Sequence, residues 1–167
     1  KTYTMEGNPG DVGVSLRAVG ELFHVVDEVL TAEWSYALTF SMLEIYNETI
    51  RDLLVAPVKG PNATVAKLDV RTSSDGNSVP GLTEITVTNM AQVQNLMAQG
   101  NKNRAVGGHD MNEHSSRSHS IITVTCRGKN SKDGSSTYGT VRCCVAQGCL
   151  ECFVCSLCGR YLLCVMQ

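Results

Sequence analysis

The feature that most limits how this chain can fold is the placement of its cysteines. Of eight, Cys126 stands alone, and Cys143, Cys144, Cys149, Cys152, Cys155, Cys158 and Cys164 crowd into the last 25 residues. A secreted disulfide scaffold spreads its cysteines along the chain to staple separate loops. Residues 1–125 contain none, so this body must be held by an apolar core and is expected to be reduced and intracellular. The chain divides near Gly139 into a body and a cysteine-rich tail, and the two parts need separate explanations.

A length of 167 residues leaves room for about one domain. With 43% hydrophobic and 18% charged residues, intrinsic disorder, a collagen-like repeat and a supercharged arm are excluded. Fourteen basic residues against sixteen acidic ones give a net charge of −2. No global field draws such a protein onto phosphate backbones or anionic lipid, so neither nucleic acid nor membrane is expected as a partner. Aromatics reach only 5%, which leaves Val, Leu, Ile and Met to build the core. Lys1 in place of an initiating Met suggests a fragment or a processed product, and KTYTMEGNPG lacks the layout of a signal peptide. No apolar run approaches the ~18 residues of a membrane span. The nearest, Cys152 to Met166, is broken by Gly159 and Arg160.

Leu16, Val19, Phe23, Val26 and Leu30 recur at spacings of three and four, one face of a helix. Thr39–Asn47 carries apolar residues on both faces and predicts a buried central strand. Glu48–Leu54 follows as a short helix or strand, and Val55–Thr64 as loop. Leu68–Arg71 and Leu82–Thr88 read as two strands flanking SSDGNSVPG, whose Asp75-Gly76 and Pro80-Gly81 pairs are turn signals. Asn89 is placed to cap a helix that runs to about Arg104, with Gln92 in the capping-box position and Met90, Val93, Leu96 and Met97 on one face. A strand is expected over Ile121–Cys126, a hairpin-like polar loop over Gly128–Thr137 and the start of another strand over Tyr138–Arg142. Helices alternating with strands argue for α/β layering.

The densest chemistry lies in Asn112-Glu113-His114-Ser115-Ser116-Arg117-Ser118-His119. Hydroxyls can ligate Mg²⁺, hold a phosphate oxygen or orient a water, and Arg can brace the segment against a carboxylate. The plain alternative is a serine-rich polar turn at the start of a strand.

The string N-x-x-S-S-R-S-H, followed by SIITVTC, resembles the switch I loop of the kinesin motor domain. KTYTMEG resembles the end of that family's P-loop and the helix after it, and GVSLRAVGELF its G-[IV]-[IV]-P-R-A stretch. SMLEIYNETIRDLL resembles the strand and turn in the middle of the motor. VPGLTEITV, with a helix ending NKNRAVGG, resembles the microtubule-facing hairpin and the helix leading into switch I. The wording of EIYNETIRDLL and VPGLTEI leans toward the C-terminal-motor, minus-end-directed class.

The resemblance implies an α/β fold: a partial kinesin-type P-loop NTPase over residues 1–141, with a central mixed sheet flanked by helices, and a tail of unclear origin over 142–167. It implies ATP and Mg²⁺ as cofactors and microtubules as partner, in the cytoplasm on the cytoskeleton, with dimerisation through a coiled coil elsewhere. Lys1 would reach the β- and γ-phosphates, and Thr2 would give its hydroxyl to Mg²⁺. Ser115 and Ser116 would contact the γ-phosphate, Mg²⁺ and their waters. Asn112 would help hold the lytic water, Arg117 would close onto a switch II glutamate, and Tyr3 would lie near the nucleotide. His24 is expected to be a partly buried structural residue and His109 loop, while His114 and His119 would bond within the switch. Lys67 and Arg71 could touch the microtubule or be ordinary surface charges.

Two departures bear on activity. The glycine-rich part of the P-loop does not precede Lys1, and after the SIITVTC strand the chain reads TYGTVRCCVAQGCLE where the family has D-L-A-G-S-E. ATP hydrolysis by this chain alone is therefore expected to fail. In the tail, Cys149, Cys152, Cys155 and Cys158 form C-x2-C-x2-C-x2-C, a spacing that can hold zinc or an iron–sulfur cluster. The alternative is a segment foreign to the natural body, such as a retained intron or shifted frame. Three functions stand side by side: a piece of an ATP-driven motor, a truncated non-catalytic product that binds microtubules or partners, and a cysteine-rich metal module.

Overall fold

Two strands of thirteen residues, β3 (Trp34–Tyr46) and β8 (Ser118–Asn130), lie antiparallel over their whole length, from Trp34 opposite Asn130 to Tyr46 opposite Ser118. The computed structural model describes residues 2–8, 10–29, 33–56, 67–73, 76–106, 118–146 and 149–154. Around that pair the sheet is completed by β4 (Thr49–Asp52) and β7 (Ile85–Val87) along β3, by β9 (Ser136–Ala146) along β8, and by β10 (Cys149–Val154) along β9. Every pairing among the described strands is antiparallel. The β3–β4 connection is Asn47-Glu48, both at positive φ (47° and 63°), the conformation a two-residue hairpin needs for its strands to keep their twist.

Alternation along β3 and β8 sorts the sheet into two faces. Leu38, Phe40 and Met42 share one face with Ile122, Val124 and Cys126, and all six are buried in a single cluster. Helices α2 (Val14–His24) and α3 (Met90–Val106) pack on that face, with Val19, Leu22 and Phe23 from the first and Val93 and Met97 from the second. The expected α/β layering is thus present, and the helical face at 16, 19, 23 and 26 is the one turned to the core. Beyond His24 the helix widens into a π-helical turn, Val25–Val29. Burial of Cys126 pushes its thiol up to about 11, which keeps it protonated and inert.

The cap of α3 is close to its expectation. The Asn89 side-chain oxygen accepts from the Gln92 backbone N–H (3.0 Å), while the Gln92 side chain accepts from the N–H of Thr88 (2.8 Å). The reciprocal bond thus falls one residue earlier than a capping box places it, and the helix continues two residues past Arg104.

Three expectations are corrected. Leu68–Arg71 is not a strand, and only its last residue enters one. Leu68 makes a single bridge to Ile50, and a small hairpin forms instead inside the glycine-rich stretch, between β5 (Arg71–Ser73) and β6 (Gly76–Ser78). Leu82–Glu84 is not strand, and β7 joins the central sheet beside β3. The hairpin-like loop expected over Gly128–Thr137 is a β8–β9 hairpin with a shorter turn, because β8 runs to Asn130 and β9 starts at Ser136, leaving five residues between them. His24 is exposed on α2, since the core takes its neighbour Phe23. Most of the loop expected over Val55–Thr64 lies outside the described residues.

One buried hydroxyl lacks a partner where it should cost stability. Ser15 Oγ, in the first turn of α2, has no hydrogen bond among the described residues, and the residue is almost wholly buried. Desolvating a polar group without pairing it costs about 1–3 kcal/mol. Ser15→Ala is expected to raise the thermal midpoint, and a drop of several degrees on that substitution would show that the hydroxyl is in fact satisfied.

Candidate functional site

Glu44 is the one carboxylate among the fully buried residues of the apolar strand β3, at 0% exposure. An ionised carboxylate removed from water requires charged or hydrogen-bonding partners. Glu44 Oε2 accepts from Arg51 Nη1 (3.2 Å), the residue directly opposite it on β4. Its Oε1 accepts from Arg104 Nε (3.2 Å) and from the hydroxyl of Ser118. Arg104 Nη2 also donates to Ser118 Oγ at 2.9 Å. The last turn of α3 and the first residue of β8 thus meet on one oxygen of a strand between them. That places SMLEIYN, NKNRAVGG and the end of the S-S-R-S-H string at a single point.

A fourth block joins from the start of the chain. Helix α1 (Thr2–Glu6) buries Met5 in the core, and its Glu6 accepts from Asn101 Nδ2 of α3 (3.3 Å). The Glu6 carbonyl takes the backbone N–H of Gly13 (3.2 Å), which sets α1 against the start of α2. Between them a two-stranded ribbon forms from β1 (Gly7–Asn8) and β2 (Asp11–Val12). Arg17 braces it, donating from Nη2 to Asp11 and from Nε to the Val12 carbonyl, both at 2.8 Å.

Burial pushes the Glu6 carboxyl up from its ordinary 4.5, against the opposing pull of the Arg104 guanidinium and the Asn101 amide. The folded protein then binds that proton more tightly than the unfolded chain. Its contribution to stability falls as pH rises from 4.5 through the raised value. Glu6→Gln should flatten this part of the melting-temperature profile, and parallel profiles for the two proteins would contradict the assignment.

Of the residues expected to form the site, Lys1, Asn112, Ser115, Ser116 and Arg117 lie outside the described residues, as do His109 and His114. Thr2 is the first residue of α1. Tyr3 is 57% exposed and donates its hydroxyl to Asp11 Oδ2 (3.0 Å), on the outside of the β1–β2 ribbon. His119 is half-buried on β8 opposite Ile45. Lys67 is exposed and lies 3.7 Å from Asp69, and Arg71 is exposed at the start of β5. Among the described residues no group of three His, Cys, Asp or Glu could hold a metal ion. Cys149 and Cys152 belong to β10, where Cys152 stands opposite Cys143. Cys155 and Cys158 lie outside the described residues. As donors, the Lys1 ammonium and the hydroxyls of Thr2, Ser115 and Ser116 are the hard, oxygen-rich set that suits a phosphate with Mg²⁺.

Glu44, Arg51, Arg104 and Ser118 are the residues that sequence reasoning missed. The available signal was a lone Glu inside an apolar strand, which has to find a cation. Arg51 stands only 7 positions away across the β3–β4 hairpin, but Arg104 and Ser118 stand 60 and 74 away, beyond any local pattern.

A family model described as the kinesin motor domain matches residues 1–148. The kinesin-like protein KIN-14R of Arabidopsis thaliana is 44% identical over 138 residues, which is 82% of this chain and 12% of that protein. A KIN-14R from Oryza sativa subsp. japonica is 43% identical over the same length and is covered to 14%. The chain therefore spans only a small part of the curated relatives it matches. Among solved structures, a fast kinesin aligns with a TM-score of 0.72 at 34% identity, covering 88% of this chain and 41% of that one. The motor domain of Kar3 from Saccharomyces cerevisiae aligns at 0.67 with 30% identity, covering 90% and 44%.

Proposed function

The chain belongs to the kinesin motor-domain family, and from that premise we propose that it is the switch I part of an ATP-driven, microtubule-based motor of the C-terminal-motor class. The observation that carries this reading is the Glu44 cluster, which draws the middle strand of the motor, the helix leading into switch I and the last serine of the switch onto one buried carboxylate. A serine-rich turn that merely opened a strand would not need such an anchor.

In this reading Lys1 binds the β- and γ-phosphates, Thr2 and Ser116 hold Mg²⁺, and Ser115 and Ser116 orient the γ-phosphate and its waters. Asn112 positions the attacking water, and Arg117 waits for a carboxylate from switch II. Mg·ATP supplies the phosphoryl group. The chain's own contribution is placement, since phosphoryl transfer is catalysed chiefly by positioning and by neutralising charge. The motor segment runs over 1–141, microtubules are the track, and the assembled motor acts on the cytoplasmic cytoskeleton as a dimer through a coiled coil.

This chain alone is proposed to be catalytically silent. TYGTVRCCVAQGCLE stands where the family has D-L-A-G-S-E, so the motif expected to supply a carboxylate to Arg117 is not read in that stretch. The direct test is ATP hydrolysis by the 167-residue protein with and without polymerised tubulin. Phosphate release at the buffer rate in both is expected, and turnover that rises with microtubules would overturn the proposed silence.

A further inference from the structure

The buried cluster contains two arginines that reach the same carboxylate in different ways. Arg51 places one nitrogen on Glu44 Oε2 from the neighbouring strand. Arg104 uses its guanidinium as a fork, with Nε on Glu44 Oε1 and Nη2 on Ser118 Oγ, while the Ser118 hydroxyl donates to that same Oε1. The three groups close a triangle between α3, β3 and β8. We propose that Arg104, held by Glu44, is a positioning residue that fixes where β8 begins relative to the end of α3.

Three considerations support this assignment. Arg104 and Ser118 are 14 positions apart in the chain, and holding the ends of such a segment together carries an entropic cost that directional bonds can offset. A buried ion pair gives little stability over apolar packing of the same volume, so the geometry it imposes is its distinctive contribution. The guanidinium fork also binds two acceptors at fixed angles, which an ammonium cannot do. The Arg104 guanidinium also pulls the Glu6 carboxyl of α1 down, against the burial that raises it. The consequence for nucleotide binding rests on the function proposed above.

The test compares two charge-conserving variants of the full chain, Arg104→Lys and Arg51→Lys, by backbone hydrogen exchange without nucleotide. Arg104→Lys should speed exchange about tenfold or more at Asn103–Val106 and Ser118–Ser120, leaving Val124–Cys126 and α2 as in the wild type. Arg51→Lys should leave Ser118–Ser120 unchanged. Ser118→Ala keeps every charge and should reproduce the localised loosening, which covers the case in which Arg104→Lys does not fold. Equal behaviour of the two lysine variants, or acceleration spread evenly along β8, would show a role in bulk stability alone and overturn the proposal.

Binding of a fluorescent ATP analogue with Mg²⁺ separates the two readings. Affinity about tenfold weaker in Arg104→Lys than in Arg51→Lys is expected if the anchor serves the nucleotide site. A wild-type chain that binds no analogue would count against the nucleotide reading and leave the exchange comparison to decide the anchor.

Discussion

Phe40→Ala should remove roughly 3–5 kcal/mol of stability, a large share of the ~5–15 kcal/mol that separates native from unfolded proteins. Phe40 is fully buried and sits where three strands meet, opposite Val124 of β8 and Ile85 of β7. It shares one cluster with Val19, Leu22, Val93 and Met97 from both long helices. Truncation removes the ring's transfer free energy and leaves a cavity that paired strands cannot close. Val70 is 53% exposed, and Val70→Ala should stay within about 0.5 kcal/mol. Urea unfolding of the two variants checks both. A Phe40→Ala cost comparable to that of Val70→Ala would mean that the helices do not pack on this face.

Local signals account for what could be read in advance. The run Thr39–Asn47 announced a buried strand because its apolar side chains point both ways, and Asn89 announced α3 because its side chain can satisfy an orphan N–H. The resemblance carried by N-x-x-S-S-R-S-H pointed to the family from one octet and its neighbours. Pairing was harder to read. Nothing in Leu68–Arg71 tells it to stop at a single bridge to Ile50, while Ile85–Val87 finds a place in the sheet beside β3. The ends of Gly128–Thr137 looked like loop because they are polar, yet strands at the far end of a two-faced sheet tolerate polar residues on their solvated side. The Glu44 cluster was hidden for another reason, since it exists only once three distant segments have been folded together.

Gly13→Ala is the second substitution expected to have a large effect, and it differs in mechanism from a core truncation. A Cβ at Gly13 would lie 2.4 Å from the backbone carbon and oxygen of Met5 and 2.6 Å from the carbonyl carbon of Glu6. No rotamer change relieves a clash with backbone, so α1 and the start of α2 must separate. They would lose the Gly13–Glu6 bond and disturb the seat of Met5. The cost should reach or pass the upper end of the ~1–3 kcal/mol typical of overpacking. Gly20 gives the opposite sign: a Cβ there meets nothing within 4 Å, and alanine is favoured over glycine inside a helix by about 1 kcal/mol. Thermal midpoints moving down for Gly13→Ala and up for Gly20→Ala would confirm the close approach. Equal shifts would place α1 elsewhere.

Both substitutions bear on function through the frame that carries the switch. Met5, Glu6 and Gly13 set α1, and Glu44 and Arg104 set the end of α3 and the start of β8, so the segments expected to grip phosphate issue from elements tied to each other. The most direct test of the whole account is to exchange residues 2–141 for the corresponding segment of the Arabidopsis thaliana KIN-14R motor and to measure microtubule-stimulated ATP turnover. The account predicts turnover within about tenfold of the parent motor, falling by roughly 10²–10³ when Ser116→Ala is added, the loss typical of removing one group that stabilises the transition state. A hybrid that folds with the parent's thermal transition yet hydrolyses no ATP would contradict it.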